Sequence, residues 1–260
     1  MTRLQLEGVS RRFGGLVAVS NLSFSVEAGR ITALIGPNGA GKTTTFNMVS
    51  GLIRLTSGRI SLGSQDITNM PPHEICRTGI GRSFQTPHIF GQMTVLENVM
   101  VAAKVESPVG LVATGLRFPS AVRENDQVHA LAMEQLQFMN MADLAMQRAG
   151  TLPLGQQRVL EVARALATNP KILMLDEPVA GLTQAEVRGL QEILLKIRAK
   201  GIAVFLVEHN MRFVLQTAEH VVVLNFGEKL TEGSPQEIAN DERVIAAYLG
   251  RRPEEAVAQR

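Results

Sequence analysis

The sequence predicts an α/β protein, with a core organised around a glycine-rich loop, an antiparallel β part before that loop, and a helical part inserted into the core. One observation is the apolar run Ile31-Thr32-Ala33-Leu34-Ile35, followed by a glycine-rich turn and a helix-forming stretch at 43–50 that Gly51 closes. Such a run suits a buried strand, and a glycine just past a helix is its usual stop. A second observation is a set of further apolar runs of strand length at 171–175, 202–207 and 221–226. The third is a change of period between 97 and 148, where Val128, Leu131, Ala132, Gln135, Leu136 and Met139 recur at steps of three and four.

Taken in order, Leu4, Leu6 and Val9 alternate with polar residues, as do Leu22, Phe24 and Val26, with Gly14-Gly15 and Ala28-Gly29 as turns. These segments read as antiparallel strands. After the glycine-rich loop, 59–62 and 66–67 flank a Gly63-Ser64 turn as a hairpin. The helical insertion follows, and its Met133, Met139, Met141 and Met146 read as filling for a small core, since an unbranched thioether fits irregular gaps. Within it, 107–120 holds prolines and glycines and reads as an irregular loop or broken helix. A helix over 156–168, stopped by Asn169-Pro170, returns the chain to α/β character. A helix over 183–200 ends at Gly201, and the strand at 221–226 turns within 225–229 into another strand. The charged tail at 251–260 has no apolar period and reads as frayed.

Gly36, Pro37, Asn38, Gly39, Ala40, Gly41, Lys42, Thr43 and Thr44 fit the pattern G-x-x-x-x-G-K-[ST] at every fixed position. Glycines let successive backbone N–H groups turn inward around phosphate oxygens, while the following helix offers its positive end to the anion. Lys42 is then placed to reach the β- and γ-phosphates, Thr43 to give its hydroxyl to Mg²⁺, and Thr44 to support the α-phosphate. A nucleotide is the expected ligand.

Composition narrows the classes. A chain of 260 residues with 45% hydrophobic content can bury a real core. Its 19% charged residues and net charge of +2 give no bulk electrostatic case for nucleic acid, and one tyrosine without tryptophan argues against a base-stacking surface. Cys76 stands alone, so an intrachain disulfide is impossible, a reducing compartment is expected, and the thiol is read as inert. Residues 1–9 lack a signal-peptide pattern, and no apolar run approaches the roughly eighteen residues of a spanning helix. The expectation is a cytoplasmic chain that does not cross a membrane by itself.

Further chemistry lies at strand ends. Ile172-Leu173-Met174-Leu175-Asp176-Glu177 is an apolar strand ending in two carboxylates, where an α/β sheet presents groups to a ligand. Asp176 is expected to hold Mg²⁺ and Glu177 to accept a proton from the attacking water. His209 follows the strand at 202–207 and is expected beside the γ-phosphate, whereas His73, His88, His129 and His220 show no such placement. Gln85, between the first α/β part and the helical insertion, could touch Mg²⁺ or its water while hinging the two parts. Leu152, Pro153, Leu154, Gly155 and Gln156 open a helix and offer free N–H groups to an anion.

With these residues the chain resembles the ATP-binding subunit of an ABC transporter over 4–250. Gly36 to Thr44 matches the Walker A motif, Gln85 the Q-loop, Leu152 to Gln156 the signature, Ile172 to Asp176 Walker B, Glu177 the catalytic glutamate and His209 the switch histidine. Phe13 sits where the family places an aromatic that stacks on adenine. The resemblance implies a P-loop NTPase (RecA-like) core with its β subdomain at 1–90 and 157–250, a helical signature subdomain at 91–156, and a flexible tail. It also implies ATP and Mg²⁺ as cofactors, with Glu177, His209 and Gln85 as catalytic residues and Thr43, Gln85 and Asp176 as metal contacts. The implied partners are a second ATPase subunit, either a copy or a paralogue, transmembrane permease subunits and, indirectly, a solute-binding protein, with this chain peripheral on the inner face of the membrane.

Arg12-Phe13-Gly14-Gly15-Leu16, Arg82-Ser83-Phe84-Gln85, Gly155-Gln156-Gln157-Arg158, Glu177-Pro178-Val179-Ala180-Gly181-Leu182 and Tyr248-Leu249-Gly250 are similar to the subfamily that imports branched-chain and related amino acids. An ATPase of a lipid or lipopolysaccharide exporter, or a soluble ABC ATPase of DNA repair or translation, are the alternatives. Two departures stand out. Pro153 and Leu154 replace the serine and first glycine of Leu-Ser-Gly-Gly-Gln, so position 153 offers neither hydroxyl nor N–H and anion contacts must come from backbone amides around Gly155. Ala180-Gly181-Leu182-Thr183 stands where Ser-Ala-Leu-Asp is common, so cross-subunit contacts are expected to differ.

Overall fold

A computed structural model describes residues 3–83, 88–103 and 119–248, with the backbone alone for 119–124. Strands β1 (Arg3–Phe13), β2 (Leu16–Glu27), β4 (Ser57–Leu62) and β5 (Gln65–Asp66) form an antiparallel sheet in the order β2-β1-β4-β5. A six-stranded sheet is built from β3 (Ile31–Ile35), β6 (Ile80–Arg82), β7 (Ile172–Asp176), β8 (Ala203–Val207), β9 (His220–Asn225) and β10 (Glu228–Gly233). Its order is β10-β9-β3-β8-β7-β6, and only the edge strand β10 runs antiparallel to its neighbour. The helices are α1 (Lys42–Val49), α2 (Pro72–Thr78), α3 (Val95–Ala103), α4 (Pro119–Phe138), α5 (Leu154–Ala167), α6 (Gln184–Ala199), α7 (Met211–Thr217), α8 (Pro235–Asn240) and α9 (Glu242–Tyr248).

Buried parallel strands are apolar on both faces, and the period of two divides them cleanly between two cores. Ile31, Ala33 and Ile35 share one core with Leu173, Leu175, Val204 and Leu206, packed by Leu190, Leu194 and Phe213 of α6 and α7. Leu34 faces the other core with Ile172, Met174, Phe205 and Val207, against Leu4, Leu6, Leu22 and Phe24 of the antiparallel sheet. There Phe205 meets Phe24 at 5.7 Å and Phe46 of α1 at 5.8 Å between ring centroids. The antiparallel sheet thus clamps α1 and its preceding loop to the central sheet.

The helical insertion joins the first core continuously: Val95 and Val99 of α3, Ala132 and Leu136 of α4, and Leu160 of α5 belong to it. Its buried face on α4 is Val128, Ala132 and Leu136, followed by buried Met139 just past the helix end, whereas Leu131 is exposed. A stripe stepping by four takes Val128, Ala132 and Leu136 inside and leaves Leu131 on the flank. Met139 and Met141 fill the core as expected, but Met146 lies on the surface beyond it. Pro119 and Ser120 open α4 instead of ending a loop, because proline's fixed φ and missing N–H suit a first helical turn. The rest of the expected irregular loop, Gln85 and the tail at 251–260 lie outside the described residues.

Several bounds shift. The helix expected from 156 begins at Leu154 with Pro153 as N-cap, since proline's own carbonyl can accept from Gln157 N–H at 3.0 Å. Phe226, expected at a strand end, occupies the β9–β10 turn with φ 47°. Ile67 is not in a strand, although it is buried. The three central strands β3, β7 and β8 end together at the edge where 36–41, 176–180 and 208–210 emerge, the position at which an α/β sheet presents its ligand site.

Candidate nucleotide site

Gly36 leaves β3 with φ 152°, and a Cβ there would lie 2.2 Å from the carbonyl oxygen of Leu224 in β9. Only glycine lets the loop turn this close to the neighbouring strand. Gly41 caps α1 without a side-chain hydrogen bond, so the first-turn amides of that helix receive no side-chain acceptor. Lys42 is buried, with Nζ donating to the carbonyls of Gly36 at 2.7 Å and Pro37 at 2.9 Å. Burial lowers its pKa, and the nearby charges of Glu177 and Asp176 oppose that shift. A triphosphate would exchange two neutral carbonyl acceptors for anionic oxygens. Thr43 is exposed at the helix start, while Thr45 back-bonds to the Gly41 carbonyl at 3.0 Å.

Asp176 ends β7, buried, opposite Val207 of β8. Its pKa is raised, first by burial and then by Glu177, with Arg82, Lys42 and Arg158 pulling it down. Glu177 takes φ 47° even though it precedes Pro178, a backbone that costs about 1–3 kcal/mol. Its N–H donates to the Val207 carbonyl at 2.8 Å and its carbonyl accepts from Ala180 N–H at 3.2 Å. The strained turn aims the carboxylate at His209, whose Nδ1 lies 3.6 Å from Glu177 Oε1. Lys42, Asp176, Glu177 and His209 therefore share one edge of the sheet. Phe13, at the end of β1, is 43% exposed with the Arg11 guanidinium 4.4 Å from its ring centroid.

The segment at 152–156 is placed elsewhere. Leu152 and Gly155 are buried, while Pro153, Leu154 and Gln156 are exposed. The helix it opens is tied to the loop after Glu177: Arg158 Nη2 approaches the Ala180 carbonyl at 3.4 Å, and Leu154 Cδ2 lies 3.2 Å from a Cβ built on Gly181. A Cβ on Gly155 would fall 2.1 Å from Glu186 Oε1. That glutamate closes a capping box with Thr183 at the start of α6. No hydrogen bond among the described residues joins 152–156 to 36–44.

Three residues received no role from the sequence. Arg82, just before the Gln85 segment, bonds Ser50 Oγ and Asn47 Oδ1 of the α1 end and stacks 4.7 Å over the Phe46 ring. Arg158 joins the helix at 154–167 to the loop at 177–182. Glu208, the neighbour of His209, is a fully buried carboxylate that accepts three backbone N–H groups. A carboxylate in an otherwise apolar strand ending was the one local signal available for it.

Magnesium is tested by the donor set. Among the described residues no group of three or more His, Cys, Asp or Glu could hold a metal ion. Thr43 and Asp176 offer one hydroxyl and one carboxylate, which fits an ion that keeps waters and takes its remaining ligands from phosphates.

A family model described as ABC transporter matches residues 19–180, and one described as Branched-chain amino acid ATP-binding cassette transporter matches 228–254. The chain is 40% identical over 248 residues to the high-affinity branched-chain amino acid transport ATP-binding protein BraF of Pseudomonas aeruginosa, covering 95% of this chain and 97% of that protein. The corresponding protein LivG of Escherichia coli is likewise 40% identical over 248 residues, with the same coverage. A crystal structure of the ADP conformation of an ATP-binding cassette of an ABC transporter superposes with a TM-score of 0.84 at 32% identity, covering 96% of this chain and all (100%) of that one.

Proposed function

This chain belongs to the ABC transporter family of ATP-binding cassettes, and from that membership we propose that it binds and hydrolyses ATP to power uptake of branched-chain or related amino acids. The observation that carries the ATPase reading is the convergence at one sheet edge of an inward-turned lysine, a buried aspartate and a glutamate facing a histidine. Phe13 stacks on the adenine, and backbone amides of 36–44 with Lys42 hold the phosphates. Glu177 takes the proton of the attacking water, and His209, within reach of that carboxylate, fixes its orientation and contacts the γ-phosphate. Thr43, Asp176 and Gln85 would hold Mg²⁺, which would supply neutralisation of phosphate charge.

The site is half of a pair. Residues 152–156 sit against 180–186 and, among the described residues, share no hydrogen bond with the loop at 36–44, which supports a contact to nucleotide on a second ATPase subunit. With Pro153 lacking a hydroxyl, the anion is met by backbone amides at the start of α5. ATP then bridges two subunits, and loss of the γ-phosphate contact releases them. We assign residues 91–156 to the helical subdomain and the remainder of 1–250 to the core, with 251–260 as a tail.

No helix of the described residues is long and apolar enough to cross a membrane; the pathway for solute is assigned to permease subunits. The contact with permease subunits at the inner side of the membrane is assigned to 86–98 and the loop beyond, a stretch in which Phe90 and Met93 are exposed. A solute-binding protein then acts on the permease, indirectly for this chain. Purification from solubilised membranes tests the assignment: recovery with hydrophobic permease subunits, and ATPase activity stimulated by a leucine-loaded binding protein, is expected. Recovery with ribosomes or DNA and no membrane subunit would contradict it.

A further inference from the structure

Glu208 has no exposed surface, and no lysine or arginine forms an ion pair with it among the described residues. A buried carboxylate without a cationic partner is costly and survives where hydrogen bonds replace its water. Here one oxygen, Oε1, accepts from Val179 N–H at 3.2 Å, and the other, Oε2, accepts from His209 N–H at 3.1 Å and Asn210 N–H at 3.2 Å. Its own N–H donates to the Leu34 carbonyl of β3 at 3.3 Å, which anchors it to the strand that leads into the phosphate loop.

The two oxygens face two different segments. Val179 lies two residues beyond Glu177, inside the strained turn that the Val207 carbonyl and the Ala180 N–H hold. His209 and Asn210 begin the segment that enters α7, where the Asn210 side chain accepts from Phe213 N–H at 3.1 Å. One carboxylate thus spans the same gap that the 3.6 Å approach of His209 to Glu177 crosses on the ligand side. We propose that Glu208 is a positioning residue for hydrolysis: it fixes the separation of the Glu177 turn from the His209 segment, so that the rate of the chemical step depends on it and ATP affinity does not. The proposal rests on the roles given to Glu177 and His209 above.

Glu208→Gln tests it with the shape of the side chain kept, because an amide nitrogen cannot accept and one of the two segments must lose its anchor. In the purified full-length chain, E208Q is expected to lower kcat for ATP by about tenfold while KM stays within about twofold, and E208A to lower kcat further. Combined with His209→Ala, E208Q is expected to add less than about a twofold loss, since the two act through one geometry. An E208Q rate equal to that of the unmodified chain overturns the proposal. So does a matched rise in KM, an additive loss in the double variant, or a loss of rate that tracks loss of folded protein in the melting curve. Should E208A fail to fold, E208Q alone decides. Glu177→Gln keeps the two readings apart: full hydrolysis by E177Q removes the base assignment, whereas a silent E208Q beside an inactive E177Q removes only the positioning role.

Discussion

Lys42 is held by two carbonyls of its own loop, so its charge is desolvated before any phosphate arrives. Charge-assisted bonds to phosphate are worth about 1.5–3 kcal/mol each, and Lys42→Ala is expected to weaken ATP binding at least about tenfold by calorimetry; undiminished affinity would remove it from the site. Asp176 carries the opposite strain. Its folded pKa lies above its ordinary 3.8 because burial disfavours the charge. The folded state therefore holds a proton that the unfolded state has released, and stability falls as pH rises from the ordinary value through the raised one. Without nucleotide, Asp176→Asn is expected to raise the melting temperature at pH 7 by about 2–4 °C and to flatten its decline with pH, while hydrolysis is lost; an unchanged slope would contradict the burial argument. Lys42, Asp176 and Glu177 were legible because each stands in a contiguous pattern whose chemistry is local. Glu208 and Arg158 were not, since their partners Val179 and Ala180 lie 29 and 22 positions away in the chain and only folding brings them near.

Among the elements, α5 and α6 meet where Gly155 leaves room for the Glu186 carboxylate. That carboxylate accepts from Thr183 N–H at 2.8 Å and Thr183 Oγ1 at 2.7 Å, so a methyl at position 155 must displace a formed helix cap. Gly155→Ala is expected to destabilise the chain by about 1–3 kcal/mol and to depress hydrolysis, with the companion Glu186→Ala/Gly155→Ala variant recovering part of the packing loss. Equal melting temperatures for G155A and the unmodified chain would show that the contact carries no weight. The central strands and α6 were readable from apolar runs and glycine stops. Helices α2, α8 and α9, at seven, six and seven residues, are too short to declare a period. Thr183-x-x-Glu186 and Ser234-x-x-Glu237 nevertheless spell capping boxes that the structure forms.

For the molecule as a whole, the two cores on either side of one sheet explain how a single edge gathers groups from 36–42, 176–177 and 208–210. The helical insertion shares the first core and sets residues 152–156 against the loop at 180–186. In the function proposed above, a chain so built closes its ATP site against another ATPase subunit. What the sequence left out at this scale is the packing of α5 on the loop after Glu177. The direct measurement is sedimentation of Glu177→Gln with and without Mg·ATP. The expected result is a stable dimer with ATP, a monomer with ADP, and no ATP-driven dimer once Gly155→Ala is added. A monomer in every nucleotide state would contradict the shared site.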